Sequence, residues 1–351
     1  MNDQPIAPID YRKQVILKAV VTDYVQTAEP VGSHTLVVRY ELGVKSATIR
    51  NEMAELSEMG YLRQPHTSAG RIPSDLGYRF YVDRLMEAVS LSQTEAASAR
   101  DKLAPHRTEV ETIIEQTCRI LSQFSRYTSL ATHPAVRDAL INHISVANLG
   151  HGRVLAILVL DSGRVIHEML ELGEKSSKLD AITATNFLTR KLAGRTLESL
   201  RTAPPGSLME DAADMAELLG KVLEFVVREI EAIEETEISM EGASYIMQHP
   251  EFKDAERLEA VLSVLEQRSA LYKLLSSVYL GPDVAVIIGS ENPVDGMRDC
   301  SFVGAKYRVN GRVAGTIGVV GPTRMDYRRA VSAVEFMANN LSELLTSLRL
   351  S

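Results

Sequence analysis

The stretch 45–51 gathers side chains that can read base edges: Lys45, Ser46, Ala47, Thr48, Arg50 and Asn51. A guanidinium can pair bidentately with guanine and a carboxamide with adenine, while a small Ala or Thr can meet a thymine methyl group. Residues 66–74 read HTSAGRIPS and set His66, Thr67, Ser68 and Arg71 around Ala69-Gly70. Short donors and one fork-shaped cation suit phosphate or minor-groove contact. An ordinary polar β-turn has the same composition. Ser33, Thr35 and Arg39 on the preceding segment complete the candidate DNA-binding set.

The elements that must position these residues follow from periodicity. Val15, Ile16, Ala19, Val20 and Tyr24 share one face of a helix over 10–28, which Glu29-Pro30-Val31-Gly32 ends. Ser33 is expected to cap a short helix to about Tyr40, and Ser46 a third helix closing at Gly60. On that third helix Ile49, Met53 and Leu56 cluster on one side. Ala47, Arg50, Asn51, Ala54 and Glu58 lie opposite, with Thr48 and Glu55 at the margins. Donors occupy its N-terminal half and carboxylates its C-terminal half. That grading suits insertion N-terminus first into a major groove, where the helix N-terminus also favours phosphate. A merely solvated amphipathic helix would show the same stripe. A short strand at 61–64 and the turn-rich 65–74 predict a hairpin, and a helix is expected from Asp75 to about Val89. Two helices joined by a glycine turn and followed by a hairpin is the layout of a winged helix-turn-helix.

With 351 residues the chain is long enough for two or three domains. The formal net charge is −8, which is unexpected for a binder of nucleic acid. Residues 1–85 hold ten Lys/Arg and ten Asp/Glu and are neutral, so the acidity lies in the remainder. Phosphate affinity must therefore depend on where the arginines sit. No run approaches the roughly 18 apolar residues of a membrane span, and the N-terminus lacks a signal-like apolar core. Two cysteines, Cys118 and Cys300, are too few for a disulfide framework or a zinc site, and a reduced cytoplasmic setting is expected. His143, His151 and His167 are scattered, and no acidic or histidine cluster has metal spacing. Gly150-His151-Gly152 lacks the third glycine of a dinucleotide loop, and the sequence has no GxSxG, HExxH or Walker motif. Neither a cofactor nor an enzymatic activity is expected.

Beyond residue 90 the pattern predicts a polar linker or exposed helix over 90–108 and an amphipathic helix over 109–125. Strands follow within 144–172, then helices over 178–200 and 209–235, an extended segment over 236–247, and one helix over 253–278. Strands at 284–290, 300–307 and 312–321 precede a closing helix over 326–349. Strands on both sides of a helical block indicate an α+β fold with an insertion. The apolar stripes at 215–230 and 258–278 are candidate dimer contacts, and burial within their own domains would explain them equally well.

Residues 29–85 closely resemble the start of the HrcA family of bacterial heat-inducible transcription repressors. The resemblance runs through EPVGS, the SATIRN helix, GYL, QPHTSAGRIP and GYRFYVD. It continues more loosely along the chain, with IGVVGPTRMDY at 317–327 as a later marker. Small departures are His34, where the family commonly has Arg, and Glu52, where it commonly has Asp. The resemblance implies a winged helix-turn-helix over 1–90, followed by a GAF-like α+β domain in two parts, 91–172 and 251–351, around an inserted dimerising α+β domain over 173–250. It further implies a homodimer on an inverted-repeat operator of double-stranded DNA, the CIRCE element upstream of chaperone operons, with activity dependent on the GroEL chaperonin. A second reading is a small-molecule-sensing regulator using the GAF-like domain, although its pocket is expected to be filled by protein side chains.

Overall fold

Asp10 opens the first helix by accepting the Lys13 backbone N–H at 2.9 Å, the bond an N-cap carboxylate is suited to make. In the computed structural model the described residues are 9–67, 69–87, 89, 91–103, 110–134, 140–161, 165–172, 180–201, 215–232 and 238–348. They begin with three helices, α1 (Tyr11–Thr27), α2 (Ser33–Tyr40) and α3 (Ser46–Glu58). A two-stranded antiparallel hairpin follows, β1 (Leu62–Arg63) and β2 (Ile72–Pro73). Ile16, Leu17, Val20, Leu36, Ile49, Met53 and Leu56 bury their apolar faces together. Ser33 and Ser46 prove to be the first helical residues rather than caps. Gly32 and Lys45 take the cap positions without side-chain bonds, and the two serine hydroxyls lie 3.0 Å from each other. Gly60, at φ +83°, closes α3: its N–H reaches the Ser57 carbonyl at 3.1 Å, and Tyr61 N–H reaches that of Leu56 at 2.9 Å.

Helix α4 (Asp75–Phe80) continues as a π turn, Tyr81–Leu85, and stops short of the expected Val89. It leads into α5 (Gln93–Leu103), a helix that buries Ala99 and Leu103, and then α6 (Val110–Ser125). Five strands form one antiparallel sheet in the order β7-β3-β10-β9-β8. These are β3 (Thr128–Thr132), β7 (Ile238–Glu241), β8 (Val284–Ile288), β9 (Cys300–Val309) and β10 (Arg312–Pro322). One face packs on α6 and α12 (Tyr327–Ser347) through Val303, Tyr307, Ile317 and Val319. The other packs, through Leu130, Phe302 and Val320, on α10 (Ala255–Glu266) and α11 (Arg268–Tyr279). Helix cover on both faces explains why β9 is buried nearly throughout rather than on alternate residues. The single helix expected over 253–278 is two helices, because Gln267 takes extended backbone (φ −92°, ψ 100°) between them.

A second sheet, β4 (Ile141–Gly150), β5 (Arg153–Leu160) and β6 (Val165–Glu171), pairs only within itself among the described residues. Its inner face forms a separate hydrophobic cluster with α7 (Ala181–Leu192), α8 (Leu197–Arg201) and α9 (Ala216–Ala232). The boundary expected between 172 and 173 falls inside this cluster, and β7, expected in the insertion, pairs instead with β3 of the larger sheet. Leu218, Leu219, Val222, Phe225 and Val226 of α9 line the smaller core. Val261, Leu265, Leu271, Leu274 and Leu275 of α10 and α11 line the underside of the larger sheet. Both stripes considered as dimer contacts are therefore consumed inside the chain.

The unit over 9–85 is not detached, because one hydrophobic cluster runs from α1–α3 through Tyr78 and Tyr81 to α12 and the larger sheet. Polar bonds seal this seam. Arg79 pairs with Glu291 and donates to the Val286 carbonyl at 2.6 Å, Asp75 accepts the Ser290 N–H at 2.8 Å, and Arg324 pairs with Glu251 and donates to the Val25 carbonyl at 2.6 Å. Gly77 lies so close to β1 that a Cβ there would meet the Tyr61 carbonyl oxygen at 2.2 Å.

Within the head, α1 and α2 are joined by the ion pair of buried Asp23 with Arg39, Nη1 to Oδ1 at 2.6 Å. Arg39→Ala leaves that carboxylate without its cation in a place water hardly reaches. The expected outcome is a lower midpoint of urea unfolding with an unchanged slope. An unchanged midpoint would show that the pair contributes nothing to the fold.

Candidate nucleic-acid interface

The exposed face of α3 is set by what its other face buries. Ile49, Met53 and Leu56 are at most 4% exposed, which turns Ala47, Arg50 and Asn51 outward into solvent. Ser46 and Thr48 flank them half-buried, and Lys45 is exposed at the helix entry. Thr35 is half-buried on α2. The structure thus brings Lys45, Ser46, Ala47, Thr48, Arg50 and Asn51 onto one end of one helix. Ser33 joins them through its contact with Ser46. Arg39 is not free in this way, since its guanidinium is engaged by Asp23.

The hairpin is held against α3 at its base. Val31 and Arg71 exchange two backbone hydrogen bonds, each 2.9 Å, and Arg71 Nε donates to the Ser57 hydroxyl at 2.9 Å. Arg71 therefore sits at the base of the hairpin rather than at its tip. Gly70 allows the approach: a Cβ there would stand 2.4 Å from the Val31 carbonyl oxygen. Gln64 reaches across the loop and donates from Nε2 to the carbonyls of Thr67 and Ala69 at 3.0 and 2.9 Å. The Ala69 N–H closes a turn onto the His66 carbonyl at 2.9 Å. His66 and Thr67 are exposed on this braced loop, as is Arg63 on β1, while Ser68 lies outside the described residues.

One group was absent from the residues singled out by sequence. Lys13 of α1 places its ammonium 2.9 Å from Glu52 and 2.8 Å from Glu55 on α3, and 3.0 Å from Asp10. Arg12 adds a longer contact to Glu52 at 3.4 Å. The Glu55, Glu52 and Asp10 carboxylates together hold the Lys13 ammonium well above its ordinary pKa. These partners are 39 and 42 positions apart in sequence, so no local spacing could reveal them.

Elsewhere the polar groups serve the fold. Burial pushes the Cys118 thiol up to about 12 and the Cys300 thiol higher still, which keeps both protonated and unreactive. His143, His151 and His167 lie on β4, at the β4–β5 turn and on β6, and no group of His, Cys, Asp and Glu among the described residues is arranged to hold a metal ion. No helix among the described residues is long and apolar enough to cross a membrane.

Comparison with known proteins bears on the whole chain. Residues 111–331 match the family described as HrcA protein C terminal domain. The heat-inducible transcription repressor HrcA of Desulforamulus reducens is 40% identical over 337 residues, spanning 96% of this chain and 97% of that protein. The repressor of the same name from Symbiobacterium thermophilum is 39% identical over 336 residues, spanning 96% and 98%. A solved structure described as a hypothetical protein at 2.2 Å resolution superimposes with a TM-score of 0.66, covering 97% of this chain and all of that one. At 22% identity it shows a shared fold. On the extent of these sequence matches, the chain belongs to the HrcA family of heat-inducible transcription repressors.

Proposed function

We propose that this protein represses heat-shock operons by binding an inverted-repeat operator of the CIRCE type as a homodimer, with GroEL modulating its activity. Residues 9–85 are read as a winged helix-turn-helix, with α3 as the reading helix and the 62–73 hairpin as the wing. The five-stranded sheet with its flanking helices is read as the GAF-like domain. The unit built on β4–β6 and α7–α9 is read as the insertion. The observation that carries the reading is the outward Ala47, Arg50 and Asn51 at the N-terminal end of a helix whose opposite face is fully buried. That end of a helix meets base edges in a major groove, with Arg suited to guanine and Asn to adenine. The GroEL part rests on family membership. A small-molecule sensor draws no support from the larger sheet, whose faces are filled by Phe302, Tyr307 and Ile317.

A palindromic operator requires two heads at fixed spacing. With the helical stripes consumed internally, the surface best suited to a second copy is the outer face of β4–β6. Register aligns Val159, Ile157 and Leu155 of β5 with Val165, His167 and Met169 of β6, and with His143, Ser145 and Ala147 of β4. The central row is apolar throughout, and Val165 and Met169 are 56% and 52% exposed. Strands that face water on one side normally alternate apolar and polar residues, and the central strand β5 does not.

Three outcomes are expected. In gel-shift competition on DNA from upstream of the chaperonin operon, the protein prefers the inverted repeat to random duplex. Arg50→Ala or Asn51→Ala costs about 1–3 kcal/mol there and relaxes the base preference at one position per half-site. Equal competition by random duplex would refute the reading. Arg71→Ala weakens binding to all duplexes alike and lowers folding stability by about 1 kcal/mol through the lost bond to Ser57. A loss confined to one base position would contradict its role at the wing base. Val165→Lys with Met169→Lys converts the dimer to monomer in analytical ultracentrifugation and abolishes the advantage of the palindrome over a half-site. An unchanged mass would place the dimer contact elsewhere.

A further inference from the structure

The reading face of α3 stands beside its own carboxylates. Glu52 and Glu55 follow Arg50 and Asn51 by one to five positions on the same helix, and Glu55 is 56% exposed. A helix that brings uncompensated carboxylates to a phosphate backbone meets repulsion that grows as salt falls. In this chain one cation from another helix serves both groups. Lys13 Nζ sits 2.9 Å from Glu52 and 2.8 Å from Glu55, and its side chain is only 13% exposed. Arg12, 58% exposed, lies 3.4 Å from Glu52 on the solvent side. Asp10, at the start of α1, pins the same ammonium from behind at 3.0 Å.

We propose that Lys13 is a positioning residue for operator binding: by offsetting, with help from Arg12, the charge of Glu52 and Glu55, it lets the N-terminal half of α3 approach the phosphate backbone. The inference rests on α3 being the reading helix and adds a requirement of its own. Lys13 acts through the two glutamates and does not itself touch DNA. Its low exposure fits that role, since a phosphate-binding lysine must extend to the surface. Its three carboxylate partners, each within 3.0 Å of the ammonium, fit as well, since they hold it against the protein. The same contact ties α1 to α3, so it also fixes the reading helix on the helix beneath it.

The test compares Lys13→Met in two backgrounds, the natural chain and one carrying Glu52→Gln with Glu55→Gln. Affinity for the operator duplex is measured from low to moderate salt, and thermal melting monitors folding. In the natural background Lys13→Met is expected to bind roughly tenfold more weakly at low salt. The deficit shrinks as the screening length falls from about 30 Å at 0.01 M to about 8 Å at 0.15 M. In the Gln/Gln background the same substitution costs far less, because neither carboxylate of α3 remains and only Asp10, which precedes α1, keeps its charge. Lys13→Arg in the natural background keeps most of the affinity. An equal loss in both backgrounds would overturn the proposal and indicate direct phosphate contact or a purely structural role. Natural-chain affinity after Lys13→Met would overturn it too. Failure of the unsubstituted protein to prefer the operator would instead refute the reading of α3, which keeps the two failures distinct.

Discussion

Burial of Ile49, Met53 and Leu56 is the constraint on which the head depends. Each of these side chains gains about 1.5–3 kcal/mol by leaving water. Together they fix the rotation of α3 about its axis. Once that rotation is set, the placement of Arg50, Asn51 and Ala47 is determined by helical spacing alone. The hairpin inherits the same constraint, because Arg71 is bonded to Ser57 on the next turn of the same helix. Gly60 closes α3 in the left-handed conformation that turns the chain directly into β1. The outward face of α3 and the hairpin are thus parts of one packed object rather than two independently placed features.

What was legible in the sequence was what periodicity encodes. The bounds of α1 to α3, the buried stripe of α3, the hairpin and the final helix all follow from spacing and from Gly, Pro and Asp at their ends. What was not legible depends on partners far apart in the chain. Three of the five residues of β3, TSLAT, carry hydroxyls, yet the strand is buried on both sides because hydroxyl groups such as Ser129 and Thr132 find backbone acceptors. Local pattern gave no sign of it. The smaller sheet looked continuous with the larger one because strand type is local while strand pairing is not. The break at Gln267 has no Gly or Pro to mark it. Arg39 resembles a DNA contact by type and position, and only the structure shows it engaged by Asp23. Lys13 is the converse case: ordinary in sequence, and decisive for charge once α1 lies against α3.

The seam between head and sheet has a further consequence for how the molecule behaves as a unit. Strand β8 is an edge strand, and unpaired edges invite association with other chains. Here Arg79 donates to the Val286 carbonyl on that edge while pairing with Glu291, and Asp75 accepts from Ser290 just beyond it. The head therefore covers an edge of the body, and the body shares its hydrophobic core with the head. Movement of one relative to the other would break ion pairs and uncover both a strand edge and apolar surface. The orientation of α3 is for this reason tied to the packing of the sheet behind it.

The net charge of −8 describes the chain poorly as a partner for DNA. Exposed charges separated by more than about 8 Å at physiological salt are largely screened from one another. The acidity of the body then bears little on a phosphate at α3, whereas carboxylates on α3 itself bear on it strongly. The molecule settles the matter locally. Glu52 and Glu55 are answered by Lys13, Arg50 is left outward, and Lys45 stands free to face solvent at the helix entry. A protein of acidic composition can in this way present a local surface that is not itself strongly acidic, because the range of electrostatics in salt water is shorter than the protein is wide. The count of charges then governs solubility, and the pairing of a few of them governs recognition.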